Sequence, residues 1–270
     1  MIHISRRSSV ESNLVAAAFG DQPGSWPLPA ATTPHQRWLR AVAAAGQGRY
    51  GSAYADLAAL TRAEPSGRLA SLACSAQASF LRQLGWHGLA SGSDGRAWAL
   101  AGGDPEAAGD ALTGLAADAL GVGRLAAAAA LLRRAEPLVA QAPHRLAIRQ
   151  AWVSAELAMA GGESAVAVRS AELAVELAAT TLPGAARHRA KSEVVLAAAL
   201  CSNGAVDRAR TVADSALELT GQLGLLPLRW AVACLLVDLV DAGSRTDQLR
   251  AIRDDCARRV EHWGGAWRQL

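Results

Sequence analysis

The chain has 270 residues, of which 63 are alanine, 51% are hydrophobic and only 4% are aromatic. Alanine is the strongest helix former, and a sequence this poor in aromatic and β-branched residues cannot stock a β-sandwich or β-barrel. A mean hydropathy of +0.13 with 19% charged residues excludes wholesale disorder. The net charge of +3, from 26 Arg and the single Lys191 against 24 acidic residues with no run of four cations, excludes a dedicated nucleic-acid reader.

Residues 1–33 stand apart as a leader and a Pro/Gly linker. Arg6-Arg7 resembles an export signal, but Glu11, Ser12 and Asn13 break the apolar stretch such a signal needs. Gly20 to Pro29 reads as an extended segment in which Trp26 is the large apolar residue, either capping the first structural unit or meeting a partner.

From residue 34 to residue 270 a phrase recurs: Gly, a large or apolar residue two positions on, Ala three further, and another small or apolar residue seven after that. It reads Gly48-Arg49-Tyr50-Gly51-Ser52-Ala53 with Leu60, Gly85-Trp86-His87-Gly88-Leu89-Ala90 with Ala97, and Gly123-Arg124-Leu125-Ala126-Ala127-Ala128 with Ala135. A fourth copy runs Glu163, Ala165, Val168, Val175, a fifth Gly204, Val206, Ala209, Ala216, and a degenerate sixth spans Arg245 to Asp255. The anchors at 50, 87, 125, 165 and 206 are 37, 38, 40 and 41 residues apart. Glycine at each junction suits a helix C-terminus that needs positive φ, and Pro65, Pro105, Pro143, Pro183 and Pro227 fall between units, where proline suits a new helix. The unit is a helix-turn-helix hairpin, with small residues where its two helices approach. In unit two, Gly88, Gly92 and Gly95 predict a short, bent or mobile second helix.

Cys74, Cys201, Cys234 and Cys256 form no Cys-x-x-Cys pair and read as small apolar residues of a reducing cytoplasm. Pro227, Arg229 and Asp238 interrupt the most apolar window, Leu223 to Val240, so no membrane span is expected. His3, His35, His87, His144, His188 and His262 make no metal-ligand pattern, and no nucleophile elbow or phosphate-binding loop is present. No cofactor, metal or catalytic residue is therefore expected.

Residues 38–65, with an early Trp38, Gly48-x-Tyr50-x-x-Ala53 and Pro65 after the second helix, resemble the tetratricopeptide-repeat family in a longer, bacterial form, and the likeness runs from about residue 34 to 260. It implies an all-α, right-handed superhelix of about six helical hairpins whose first helices line a concave groove. Basic residues on those helices would grip the carboxylates of a bound peptide. Cations do crowd the starts of first helices, against the helix-dipole preference. Arg37, Arg40, Arg145, Arg149, Arg187, Lys191 and Arg229 are the candidates, with Trp152 beside Arg145 and Arg149 on one face.

The expected function is a non-catalytic cytoplasmic scaffold that binds an acidic protein segment, with no direct nucleic-acid or membrane contact. Charge reversal at Arg149 or Lys191 would then weaken binding without changing the melting temperature. Two other readings stay open: the ligand-sensing part of a transcriptional regulatory system, which would have a pocket lined by Trp and Leu, and an enzyme with its pocket inside the superhelix. Trp263 and Trp267 either cover the last hairpin or form a homodimer contact.

Overall fold

The computed structural model describes residues 2–182, 184–240 and 243–268, with side chains from Ser9 onward. Among these residues the regular secondary structure is all α-helix: α1 (Ile2–Phe19), α2 (Pro34–Gly46), α3 (Tyr50–Ala63), α4 (Arg68–Gln83), α5 (His87–Leu100), α6 (Pro105–Gly121), α7 (Leu125–Val139), α8 (Arg145–Ala160), α9 (Ser164–Thr180), α10 (Ala186–Ser202), α11 (Val206–Gln222), α12 (Leu226–Leu239) and α13 (Ser244–His262). No described helix is long and apolar enough to cross a membrane.

The repeated phrase marks a repeated turn. Gly48, Gly85, Gly123 and Gly204 have φ between +77° and +89°. In each case the following N–H returns to a carbonyl five residues back, as from Arg49 to Ala44 and from Arg124 to Ala119. This satisfies helix-end carbonyls in the geometry that favours glycine. The fourth copy has the same turn at Gly162, with φ +76°, so α9 begins one residue before the anchor that the sequence pattern assigned. Proline opens α2, α6 and α12, while Pro183 lies outside the described residues.

Two kinds of helix follow from two patterns of burial. The even-numbered helices α2 to α12 pack on one another in succession and form an inner layer. Burial is heaviest in this layer's N-terminal half, where α6 buries eleven of its seventeen residues, and falls to five of fourteen in α12. The odd-numbered helices α3 to α11 pack on the preceding and following inner helix and bury one stripe, while α13 packs on α12. In α7 the stripe is Ala128, Leu132, Ala135 and Val139; in α9 it is Ala167, Ala171, Ala174 and Ala178; in α11 it is Ala209, Ala213, Ala216 and Thr220. The spacing of four, three and four keeps these residues on one helical face. Each buried methyl contributes only about 0.8 kcal/mol, so stability accumulates along the array.

Helix α5 corrects the expectation of a broken element. It runs without interruption from His87 to Leu100, because Gly88, Gly92 and Gly95 face open space while Ala90, Asp94 and Ala97 form the buried stripe. The leader is also structured: α1 packs on α2 and touches α10, burying Leu14, Ala17 and Ala18.

The two ends of the array meet. Past α13, Trp263 O accepts from Gly51 N at 2.8 Å, Ala266 O accepts from Trp86 Nε1 at 2.7 Å, and Arg268 N donates to Leu84 O at 2.9 Å. Val260, Leu226 and Pro227 stand against Gly48, and Tyr50 abuts Gly265. The C-terminal tryptophans therefore cover the first two helix pairs of their own chain, and Trp267 also packs on Trp230 with ring centroids 4.4 Å apart. Trp26 lies over the Arg49 guanidinium, 3.9 Å from the ring centroid, at the same junction.

Candidate ligand-binding cavity

Because the inner helices curve around a common centre and the array's ends meet, their inward faces line a partly open cavity of about 330 Å³. Every even-numbered helix from α2 to α12 contributes to its wall, and Phe19 of α1 lies on one side. Most of the lining is apolar: Trp38, Leu72, Phe80, Leu120, Trp152 and Val153 are among these residues.

Five of the eight residues expected to grip a partner converge here: Arg145, Arg149, Trp152, Arg187 and Lys191. Arg37, Arg40 and Arg229 do not line the cavity. Arg40 donates from Nε to Asp56 Oδ2 at 2.7 Å and fastens α2 to α3. Arg229 lies beside Gly221 in a separate cleft with Asp255 and Arg259.

Most of the converging cations are already paired. Arg145 donates to Glu106 from Nε at 3.2 Å and from Nη2 at 2.8 Å, and it reaches Asp110 at 3.3 Å. Arg149 pairs with Asp110, and Lys191 Nζ donates to Glu156 at 3.1 Å. Glu106 also pairs with Arg68. Burial opposes ionisation of Glu106, but Arg145 and Arg68 hold its carboxyl below the usual range.

A second buried cluster lies beside the first. Arg82 bonds both Asp94 of α5 and, at 2.9 Å, Asp118 of α6. One guanidinium cannot fully compensate two buried carboxylates. Burial pushes both carboxyls upward, Asp94 to about 6, while the pair holds Arg82 charged. Gly114 sits in the middle of α6 because a Cβ there would overlap the Asp94 carboxylate.

Arg187 differs from its neighbours. It lines the cavity with its side chain partly buried, and among the described residues no carboxylate pairs with it. Burial pulls it below the usual guanidinium range, with only the Tyr50 hydroxyl opposing. Its guanidinium stem rests on the end of α2 at Gly46, 3.3 Å from where a Cβ would project, so a larger residue would press on it. His188 stacks on Trp152 at 5.5 Å between ring centroids and is held neutral, its pKa pushed down to about 3 by burial and by Arg187, Arg145 and Arg149. Trp152 Nε1 donates to Ser192 Oγ at 2.8 Å, which orients the indole plane. Ser75 Oγ and the Nδ1 atoms of His87 and His188, all in residues lining the wall, have no hydrogen-bond partner within the protein.

Sequence reasoning missed Arg82, His87, Asp94, Glu106, Asp110, Asp118 and His188. A signal for part of this set was present. Arg68, Glu106 and Arg145 are separated by 38 and 39 residues, and Asp110 and Arg149 by the same 39. One repeat period thus aligns opposite charges on adjacent inner helices, with the four-residue spacing of 106/110 facing that of 145/149. Among the described residues, no group of three His, Cys, Asp or Glu is placed to hold a metal ion. No protein-family model and no curated protein matches this sequence.

Proposed function

We propose that this protein is a non-catalytic ligand-binding module, a tetratricopeptide-like right-handed array that takes a small organic molecule into its interior and acts as the sensing part of a regulatory system. The observation that carries this reading is the convergence of polar side chains from four inner helices, α4, α6, α8 and α10, on one largely apolar cavity, about 330 Å³ in volume, within the size range of small-molecule sites. A scaffold that grips a peptide's carboxylates needs cations left free to meet them. Here α1 lies beside the inner helices, the C-terminal segment joins the first two pairs, and the cations that would have faced a peptide's carboxylates are mostly paired within the chain. The two carboxylates that line the cavity are likewise engaged, Asp110 with Arg145 and Arg149 and Glu156 with Lys191, an arrangement suited to rigid binding more than to proton transfer.

Ligand binding to the folded state raises its stability by mass action. The test is a thermal-shift screen of a fractionated bacterial metabolite extract against the wild-type protein and Ala117→Phe, in which a larger side chain projects from α6 into the cavity. A fraction that raises the wild-type melting temperature and leaves Ala117→Phe unmoved supports the reading. No stabilising fraction, or equal stabilisation of both proteins, overturns it.

A further inference from the structure

Resting on the interior-binding reading above, we infer that the ligand is a small monocarboxylate with an apolar body, whose carboxylate pairs with Arg187. The inference begins with charge. Arg82, Arg145, Arg149 and Lys191 each have a carboxylate partner, which leaves Arg187 as the cavity-lining cation without one among the described residues. An unpaired guanidinium in a protein interior is costly, and one negative charge from a ligand would relieve that cost.

Geometry narrows the anion. A single planar guanidinium matches a carboxylate through two parallel N–H bonds. A phosphate dianion would draw on further free cations, and the neighbouring ones are engaged. The rest of the wall selects the body of the ligand. Trp38, Leu72, Phe80, Trp152, Val153 and Leu228 present aromatic and aliphatic surface, while unpaired polar groups in the wall are few, so a sugar would leave most of its hydroxyls unmatched. At about 30 Å³ per water molecule, the cavity holds roughly eleven waters' worth of space, enough for a ligand on the order of ten to fifteen non-hydrogen atoms. His188, neutral and stacked on Trp152, makes no second positive charge at this end of the cavity and leaves the single-charge match intact.

Phenylacetate, indole-3-acetate and hexanoate serve as probes, with phenylacetamide as the neutral counterpart and phenyl phosphate as the dianionic one. Calorimetric titration is carried out on the wild-type chain and on Arg187→Met. At least one carboxylate binds the wild type and binds Arg187→Met about 10- to 150-fold more weakly, the range expected for a lost charged hydrogen bond. Phenylacetamide and phenyl phosphate bind no better than to the variant. Without ligand, Arg187→Met melts at the same temperature as the wild type or higher, because it removes an unpaired interior charge; this separates a binding role from a structural one. Should Arg187→Met fail to fold, Gly46→Leu, which presses on the Arg187 stem, takes its place with the same expected loss. Equal binding of acid and amide, tighter binding of the phosphate, undiminished affinity in the variant, or no carboxylate binding at all overturns the inference. In any of those cases a metabolite fraction that still stabilises the wild type and not Ala117→Phe leaves the cavity reading standing, whereas its absence removes both.

Discussion

The guanidinium of Arg49 stacks 3.8 Å from the ring centroid of Trp263 and thereby joins the turn between α2 and α3 to the segment that follows α13. Trp26 covers the other side at 3.9 Å, so the leader, the first pair and the C-terminus meet on one side chain. Burial and the nearby Arg259 hold Arg49 below the usual guanidinium range, and the two π-faces compensate a cation that has no carboxylate partner among the described residues. Truncating Trp263 to Ala should lower the unfolding free energy by about 2–3 kcal/mol, less than for a fully buried tryptophan because the ring is half-exposed. Urea denaturation followed by circular dichroism measures the change. Light scattering on the same pair of proteins separates this role from a homodimer contact: the mass should be the same for both, and a dimer lost in the variant would assign the tryptophan to an interface between chains.

Arg149 and Lys191 should respond differently to charge reversal, contrary to the sequence-based expectation that neither affects melting. Arg149 keeps 20% side-chain exposure against 6% for its partner Asp110, and Arg149→Glu would set two carboxylates together in the interior. A loss of about 3–5 kcal/mol is expected. Lys191 and Glu156 are 31% and 34% exposed, so solvent screens them, and Lys191→Glu should cost no more than about 1 kcal/mol. Chemical denaturation of both variants decides. Equal stabilities would mean that the Arg149–Asp110 pair is solvated.

His188 and Asp94 should give stability slopes of opposite sign. The imidazole, ordinarily near 6.5, is pushed down to about 3 by burial and the surrounding arginines. Below pH 6.5 the unfolded chain takes up a proton that the folded chain refuses, so stability falls as pH drops toward 3. The Asp94 carboxyl, ordinarily near 3.8, is pushed up to about 6 by burial, only partly offset by Arg82. Between those values the folded chain holds the proton, so stability falls as pH rises. Relative to wild type, His188→Gln should gain stability on acidification from pH 6.5 to 4.5, and Asp94→Asn should gain it on alkalinisation from pH 4 to 6. Each slope is at most about 1.4 kcal/mol per pH unit. Denaturation midpoints at pH 4.5, 5.5 and 6.5 measure both, and parallel curves for wild type and either variant would contradict the corresponding shift.

Much of the helical order was readable from local rules. The glycine two residues before Tyr50, His87, Leu125 and Val206 adopts the positive φ that ends one helix, and each of those residues begins the next. The proximity of Arg145, Arg149, Trp152, Arg187 and Lys191 was readable from the repeat, and these five residues do line one cavity. Their pairing was not, because Glu106 and Asp110 on an alanine-rich helix look like ordinary solvated residues until the neighbouring helix is placed beside them.

The sequence alone determined the helices, their turns and the small-residue stripes, since these depend on residues three to seven positions apart. Whether the array stayed open or met its own end was decided by contacts such as Trp263 to Gly51 and Trp86 to Ala266, which join residues about two hundred positions apart and end on backbone carbonyls that carry no sequence signature. That contact between the ends turns the inner face into a partly open cavity. It also distinguishes the arginines that fasten one helix to the next from Arg187, whose charge no carboxylate of the described chain balances.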